Sequence, residues 1–323
     1  MAKTLTPMME QYMRFKEAHP DSILLFRMGD FYETFYDDAK EASQLLGLTL
    51  TTRNNGRAEE VPLAGVPHHA LDTYLARLIR AGRKVAICEQ MEPPQKGKAV
   101  VRREVVQVVS PGTALTDDLL DQKRNNFLAA LFVEQDRAGL AVTDLSTGVF
   151  RASELDEPDL WDALERIGPA EIVAPSSWAD AHEAVCRDRL PGILVTRQED
   201  WTFGRAYAYD TLLEHFGVSS LKGFGCEGLE VGVSAAGGVL CYLKENQKGA
   251  VSHITRMSRE ENRSHMVLDV VTQRNLELVT SIQEGRREGT LVSVLDHTCT
   301  AMGARTLRGW LSRPLIDIAA IEA

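Results

Sequence analysis

The amino-acid sequence predicts an α/β fold with a helical segment at its C-terminal end, and three observations lead to this prediction. Short apolar runs bounded by glycine or proline alternate with amphipathic helical segments as far as about residue 258. From about residue 264, apolar residues recur at helical spacing only. The 323 residues are 44% hydrophobic and 25% charged, which is ordinary globular composition in a chain long enough for two or three domains.

The first segment, residues 1–112, contains three predicted helices and four predicted strands. Thr6 is a capping residue followed by a proline, and Gly47 and Gly82 end the second and third helices. The predicted elements are a helix from Pro7 to before Pro20, a strand at Ser22–Met28, a helix from Asp37 to Gly47, a strand at Leu48–Thr52, a helix from Leu71 to Gly82, and strands at Lys84–Cys88 and Ala99–Val109, the last two joined by the proline-rich loop Glu92–Lys98. This order predicts a compact α/β domain.

The middle segment, residues 113–258, begins with an antiparallel meander and continues with alternating strands and helices. The predicted strands are Asn126–Glu134, Gly139–Leu145, Gly148–Ser153, Glu171–Val173 and Ile193–Thr196, and the predicted helices are Pro158–Ile167, Tyr209–Phe216 and Ser234–Asn246. Such a pattern predicts a mixed sheet covered by helices. Residues 259–323 are predicted to be helical, with one apolar stripe between Val267 and Leu278 and others at Leu291–Leu295 and Ala304–Leu311.

The net charge of −10 is unevenly distributed along the chain. Residues 113–258 carry the acidity, whereas residues 1–112 are nearly neutral and contain local basic clusters. The acidic segment is therefore better suited to contact another protein, and the first segment remains free to contact nucleic acid.

The cellular location is predicted from three absences in the sequence. There is no apolar run of about 18 residues, the N-terminus lacks a secretory signal, and the five cysteines form no CxxC pair. We therefore expect a cytoplasmic protein with reduced cysteines and no structural zinc site.

The motifs that mark common catalytic and nucleotide-binding sites are absent from the sequence. It contains no GxxxxGK[ST], GxSxG, HExxH or GxGxxG. The adjacent His68 and His69 cannot share one helical face, and they indicate a turn or a cap rather than a metal site. We expect no catalytic residue, metal or cofactor in this chain, and we expect it neither to bind nor to hydrolyse ATP.

Asp144 is a carboxylate whose position in the sequence is compatible with an enzymatic role. It lies at the end of a predicted strand just before a turn, where RNase H-like nucleases place a metal-binding carboxylate. Catalysis by paired metals needs further carboxylates that converge on the ions, and the later strands supply only Glu171. A turn-capping role for Asp144 is the better interpretation, and a metal-dependent nuclease centred on it stays an alternative.

The stretch Met28–Asp38 combines four aromatic residues with acidic residues at a strand-to-helix transition. If its backbone is extended, Phe31 and Glu33 share one face and Tyr32 lies on the other. An apolar ring paired with a carboxylate makes a poor core face but a plausible exposed wedge. The remaining rings, Phe35 and Tyr36, are interpreted as core.

Several blocks of the sequence resemble a known family. They are Thr6-Pro7-Met8-Met9, Arg27-Met28-Gly29-Asp30-Phe31-Tyr32-Glu33, Asp37-Asp38-Ala39, Leu50-Thr51-Thr52-Arg53, Ala64-Gly65-Val66-Pro67-His68-His69-Ala70, Val85-Ala86-Ile87-Cys88-Glu89-Gln90, Ser110-Pro111-Gly112-Thr113 and Arg274-Asn275-Leu276-Glu277. Over all its positions the chain resembles the N-terminal part of the MutS family of bacterial mismatch-recognition proteins. The most specific match is the Phe-x-Glu motif within Arg27–Glu33.

This resemblance implies the domain organisation. It assigns residues 1–112 to a mismatch-binding domain of mixed-sheet α/β fold, residues 113–258 to an RNase H-like connector domain, and residues 259–323 to the start of an all-helical core and lever domain. The family's clamp and ATPase domains lie outside this chain. The full-length parent is accordingly expected to be a homodimer and a DNA-dependent ATPase that uses ATP and Mg²⁺.

The resemblance also implies the residues that contact DNA. Phe31 matches the ring that stacks on a mispaired base from the minor groove, and Glu33 matches the carboxylate that hydrogen-bonds to that base. Arg53 and Arg103 stand at positions where family members contact the DNA backbone or groove. Two further positions near the expected DNA face depart from the usual family residues, which are often methionine at Leu63 and tyrosine at His68.

The expected partners are mismatched duplex DNA and, through the acidic connector, MutL. A protein-docking module without any role in DNA binding is the second alternative, and it is centred on residues 113–258. No membrane partner is expected.

Overall fold

The computed structural model describes residues 6–54, 60–92, 101–115, 123–247, 251–260, 265–282 and 286–322, apart from the side chains of residues 53, 54 and 60. The chain forms two compact units. The first comprises Met1–Leu119 together with Leu243–Val251, and the second comprises Leu120–Tyr242 together with Ser252–Ala323.

The first unit is built on a mixed sheet in the order β3-β4-β2-β1-β5-β6. Its strands are β1 (Ser22–Met28), β2 (Phe31–Phe35), β3 (Thr51–Asn54), β4 (Glu60–Pro67), β5 (Lys84–Gln90) and β6 (Arg103–Val109). Strands β1 and β5 pair in parallel and the other neighbours are antiparallel. The strand predicted at Ser22–Met28 is confirmed, and it lies near the centre of the sheet.

Three helices accompany this sheet: α1 (Pro7–Ala18), α2 (Tyr36–Leu46) and α3 (Leu71–Arg80). The Thr6 side chain caps α1 by accepting a hydrogen bond from the Met9 amide, as its position before a proline predicts. Gly47 ends α2 with a φ of 68°, a conformation that glycine adopts without strain. All three predicted helices are confirmed.

The largest error in the first unit concerns strand β4, which the sequence analysis did not predict. Pro62, Gly65 and Pro67 lie within this strand, and proline and glycine disfavour strands in general. Strand β3 also begins three residues later than predicted, at Thr51. Most of the proline-rich loop predicted at Glu92–Lys98 lies outside the described residues.

The second unit contains another mixed sheet, in the order β11-β10-β7-β8-β9-β12. Its strands are β7 (Leu128–Glu134), β8 (Arg137–Asp144), β9 (Val149–Asp156), β10 (Glu171–Pro175), β11 (Leu194–Gln198) and β12 (Ser258–Arg259). Strands β7 to β9 form an antiparallel meander, and β10 pairs in parallel with both β7 and β11. This arrangement confirms the expected RNase H-like fold.

The helices of this segment are α4 (Leu160–Ile167), α5 (Ser176–Arg189), α6 (Arg205–Phe216) and α7 (Val231–Asn246). Helix α5 was not predicted, because few of its residues are buried and its apolar spacing is weak. Glycines allow α7 to pack closely, since a Cβ atom at Gly237 would lie 2.3 Å from the backbone of Ala208 and one at Gly238 would lie 2.3 Å from the ring of Phe203.

The two units do not follow the predicted boundaries throughout. Residues 243–251 were expected in the connector but cluster with the first unit. Gln247 explains this placement, because its side chain donates to the Val108 carbonyl over 2.8 Å and accepts from Gln107 over 3.0 Å.

The last segment is helical only in part. Its helices are α8 (Val270–Asn275), α9 (Leu291–Leu295), α10 (Ala301–Ser312) and α11 (Ile318–Glu322). Of the predicted stripe between Val267 and Leu278, only the six residues of α8 are helical, and Val267 and Val271 are mostly exposed. Short helices need packing of an apolar face to be stable, and little packing is present here.

Two observations concern the predicted absence of a membrane-spanning helix and the state of the cysteines. Within the described residues, no helix has the length and apolar character needed to cross a membrane. All five cysteines are outside disulfide bonds: Cys88, Cys186, Cys226 and Cys241 are buried, and Cys299 is exposed.

Candidate nucleic-acid interface

The Phe-x-Glu motif lies on a tight hairpin formed by β1 and β2. Gly29 and Asp30 are the two connecting residues, and Gly29 has a φ of 59°, which a two-residue hairpin turn requires and glycine supplies. Phe31 pairs with Met28 across this turn and is 48% exposed. The hairpin therefore presents an aromatic ring at the end of a central strand.

The two faces of β2 differ as the period-two pattern predicts. Phe31 is exposed and Glu33 is half-buried on one face, whereas Tyr32 is only 3% exposed on the other. The prediction that Phe31 and Glu33 share a face is thus confirmed.

Tyr32 anchors the hairpin from the face opposite Phe31. Its hydroxyl donates a hydrogen bond to Glu89, and the Arg27 guanidinium carbon lies 5.3 Å from its ring centroid. Burial, together with the hydrogen bond to Glu89, raises the pKa of Tyr32 to about 12. Tyr32 is thereby fixed on one face of β2, and Phe31 lies on the opposite face at the hairpin end.

Glu33 has the space to lie along its strand. It pairs with Phe26 on β1 and with Gly65 on β4. Gly65 has no side chain, and a Cβ atom at that position would lie 3.7 Å from the Glu33 Cγ. Because Gly65 has no side chain, the Glu33 side chain has free space on the side that faces β4.

The aromatic residues after Glu33 belong to the core to different degrees. Phe35 is fully buried and packs edge-on against Tyr12 with ring centroids 4.9 Å apart, which confirms the interpretation as core. Tyr36 is half-buried and packs against the same cluster, so it is core only in part.

The structure brings two other predicted positions close to the hairpin. His68 is exposed, follows Pro67, which pairs with Phe31, and donates its backbone amide to the Asp30 carbonyl over 2.9 Å. Leu63 is half-buried, pairs with Phe35 and packs against the core. Of these two residues, His68 is the exposed one, and its backbone is hydrogen-bonded to the hairpin turn.

The two predicted arginines are placed differently. Arg53 lies on β3 opposite Val61, and its side chain is outside the described part of the structure. Arg103 is 5% exposed and its guanidinium donates to the Arg27 carbonyl, and its predicted contact with DNA stays a prediction. Basic residues cluster around Arg103 in the sequence, but clustering does not indicate which side chain points inward.

Sequence reasoning also missed residues that the structure brings to this site. Asp30 and Pro67 flank Phe31 through the hairpin turn and the β4 pairing. Their position within the matched blocks was the available signal, but nothing in their chemistry alone pointed to a role.

In the second unit, Asp144 is a buried turn cap. One carboxylate oxygen accepts from the Ser146 amide over 2.9 Å and from the Ser146 hydroxyl over 2.6 Å, and the other accepts from the Asn125 side-chain amide over 2.8 Å. Glu171 is equally buried and accepts from Thr196 and Tyr242. Both carboxylates are occupied by neighbouring donors, and the described residues contain no group of three or more potential ligands placed to hold a metal ion.

We expect Asp144→Asn to lower the stability of the protein. We expect neither the wild type nor this variant to show Mg²⁺-dependent nuclease activity. The change removes part of the turn cap, at about 1–2 kcal/mol of unfolding free energy. Thermal melting and a cleavage assay on duplex and hybrid substrates check both parts. Metal-dependent cleavage by the wild type that Asp144→Asn abolishes would restore the nuclease alternative.

Comparisons with known proteins cover nearly the whole chain. Family models described as MutS domain I, MutS domain II and MutS domain III match residues 6–118, 126–255 and 271–323. Curated relatives named DNA mismatch repair protein MutS include those of Salinibacter ruber, 50% identical over 98% of this chain, Symbiobacterium thermophilum, 46% identical over 98%, and Chlorobaculum tepidum, 44% identical over 97%. The matches cover 35%, 37% and 36% of those relatives, so the chain spans just over a third of their length.

Proposed function

The chain belongs to the MutS family, and from this premise we propose that its first unit recognises mispaired or unpaired bases in duplex DNA as the first step of mismatch repair. The observation that carries the proposal is the exposed ring of Phe31 on the same strand face as Glu33. Single exposed apolar side chains are common on protein surfaces, so the support for a binding role comes from the ring and the carboxylate together, on one strand face at a hairpin end.

Phe31 acts as the wedge in this proposal. Inserting an apolar side chain into a base step unstacks it at a cost of a few kcal/mol, and the bent duplex offsets that cost through added protein contacts. A mismatched base is already poorly stacked, so the cost is lower there. Recognition then depends on how easily the duplex deforms rather than on its sequence.

Glu33 provides discrimination in this proposal. A carboxylate near DNA is repelled by the phosphates, and only an accessible base edge offers it a favourable partner. A mispaired base exposes such an edge more readily than a paired base does. Glu33 therefore weakens binding to perfect duplex more than binding to a mismatch.

Further roles belong to a full-length protein and are proposed on the family membership alone. They are homodimerisation, ATP- and Mg²⁺-dependent sensing of DNA, and contact of MutL with the connector. For this chain we propose DNA binding without ATP hydrolysis, because the three matched family domains account for nearly all of its described residues.

The proposal is tested by titrating the chain with a G·T-mismatched duplex and with the matched perfect duplex at one stated salt concentration. We expect tighter binding to the mismatch by about 5- to 150-fold, which is the equivalent of one stacked base. Fixed salt is necessary because phosphate contacts make every affinity salt-dependent. Equal affinity for the two duplexes would contradict the proposed function, and capture of a protein partner without DNA would then favour the docking alternative.

A further inference from the structure

Arg103 is connected to Phe31 through residues of the two strands that lie between them. Arg103 on β6 pairs with Gln90 on β5, and the Gln90 side chain donates to the Arg27 carbonyl on β1 over 3.4 Å. Met28, the next residue of β1, pairs with Phe31. Gln90 and the end of β1 thus connect the buried arginine on β6 to the exposed ring on β2.

The Arg103 guanidinium is held by several hydrogen bonds. Its Nε donates to the Arg27 carbonyl over 2.7 Å, and one Nη donates to the Gln11 side chain over 3.2 Å and to the Val101 carbonyl over 3.1 Å. The other Nη contacts the Met28 sulfur over 3.3 Å. These contacts fix the side chain across the end of β1, because they come from α1, β1 and the residues before β6.

This position brings the guanidinium close to Glu33. Its central carbon lies 4.6 Å from the centroid of the Phe26 ring, and Phe26 is the residue of β1 that pairs with Glu33. Directly paired residues on neighbouring strands point to the same face, so the guanidinium lies over the side chain that neighbours Glu33 on that face.

The charge of Arg103 interacts with the Glu33 carboxylate. The acceptors that contact the guanidinium within the described part of the chain are neutral. Burial lowers the pKa of Arg103, and interactions with Cys88 and Glu33 oppose that shift. Arginine nevertheless stays protonated in proteins, and a buried charge is stable only where an opposite charge or polar groups compensate it.

We propose that Arg103 is a positioning residue for mismatch discrimination, which attracts the Glu33 carboxylate and holds it on the face that carries Phe31. The inference rests on the proposed function. It assigns Arg103 no contact with DNA. Glu33 faces a polyanion when DNA binds, and a fixed positive charge underneath keeps its carboxylate beside the wedge instead of letting it turn toward solvent.

The test is a double-mutant cycle with Arg103→Met and Glu33→Gln, read as the ratio of mismatch to perfect-duplex affinity at fixed salt. We expect Arg103→Met to narrow this ratio by about three- to tenfold, in the range of coupling between neighbouring residues. The same substitution in the Glu33→Gln background should change the ratio by less than about twofold, since no carboxylate charge remains to be held. Arg103→Lys, which keeps the charge, should retain most of the ratio.

The matched control is Arg102→Met. Arg102 is exposed and pairs with Glu104, so its loss should weaken binding to both duplexes equally and leave the ratio unchanged. Melting curves of every variant establish that it is folded.

Three outcomes would overturn the inference. The first is an unchanged ratio of mismatch to perfect-duplex affinity in folded Arg103→Met. The second is a narrowing of this ratio by Arg103→Met that is equally large with and without the Glu33 carboxylate. The third applies if Arg103→Met does not fold, and it is a complete loss of mismatch preference in folded Arg103→Lys. Failure of the proposed function is separate from all three, because it would appear as equal binding of both duplexes by the wild type.

Discussion

Replacing Phe31 with alanine is expected to abolish the preference for mismatched duplex while leaving the protein folded. Stacking of one aromatic ring on a base contributes about 1–3 kcal/mol, so the affinity for a G·T duplex should fall by about 5- to 150-fold toward that for perfect duplex. Because about half of the residue is exposed, little packing is lost with the ring. Parallel titrations of the two duplexes measure the effect, and thermal melting measures the stability.

Phe35→Ala is the matched control for this experiment. Phe35 lies on the same strand but is fully buried, so its truncation should lower the unfolding free energy by about 3–5 kcal/mol. If Phe31→Ala lowered the melting temperature as much as Phe35→Ala does, the ring would be core and the wedge role would be refuted.

Replacing Glu33 with glutamine or alanine is expected to increase affinity for perfect duplex. The substitution removes a charge that the phosphates repel, and at a mismatch it also removes a charge-assisted hydrogen bond worth about 1.5–3 kcal/mol. The affinity for perfect duplex should therefore increase, whereas the affinity for the mismatched duplex should increase less or decrease. The ratio of mismatch to perfect-duplex affinity should narrow. Titrations at matched salt check this result.

Asp30→Asn is the control for the loss of one negative charge. Asp30 is exposed at the hairpin turn, one residue before Phe31. We expect this variant to strengthen binding to both duplexes alike, with an unchanged ratio. Should Glu33→Ala weaken both duplexes equally, Glu33 would only support the strand that presents Phe31, and its role as discriminator would be wrong.

The face on which Phe31 lies could be predicted from the sequence because its signal is local. A strand has a period of two, so the order Phe31, Tyr32, Glu33 already places the ring and the carboxylate on one face and the second ring on the other. Gly29 marked the turn for an equally local reason, its freedom to adopt a positive φ.

The position of Arg103 could not be predicted because it depends on partners distant in the chain. Gln11 and Met28, which contact its guanidinium, are more than 70 residues away in sequence. Strand β4 was missed for a related reason. Two neighbouring strands support its backbone despite Pro62 and Pro67, and this tertiary support is invisible to local propensity.

The two-residue connection at Gly29 and Asp30 determines which face of the sheet each side chain of β2 occupies. Adding one residue to β2 after this turn would shift its side chains by one position, and every residue of the strand would change face. Tyr32 would then turn toward solvent and Phe31 toward Glu89, although the composition of the motif would be intact. The length of the connection, as much as the identity of the aromatic residue, thus determines which ring is exposed at the end of the hairpin.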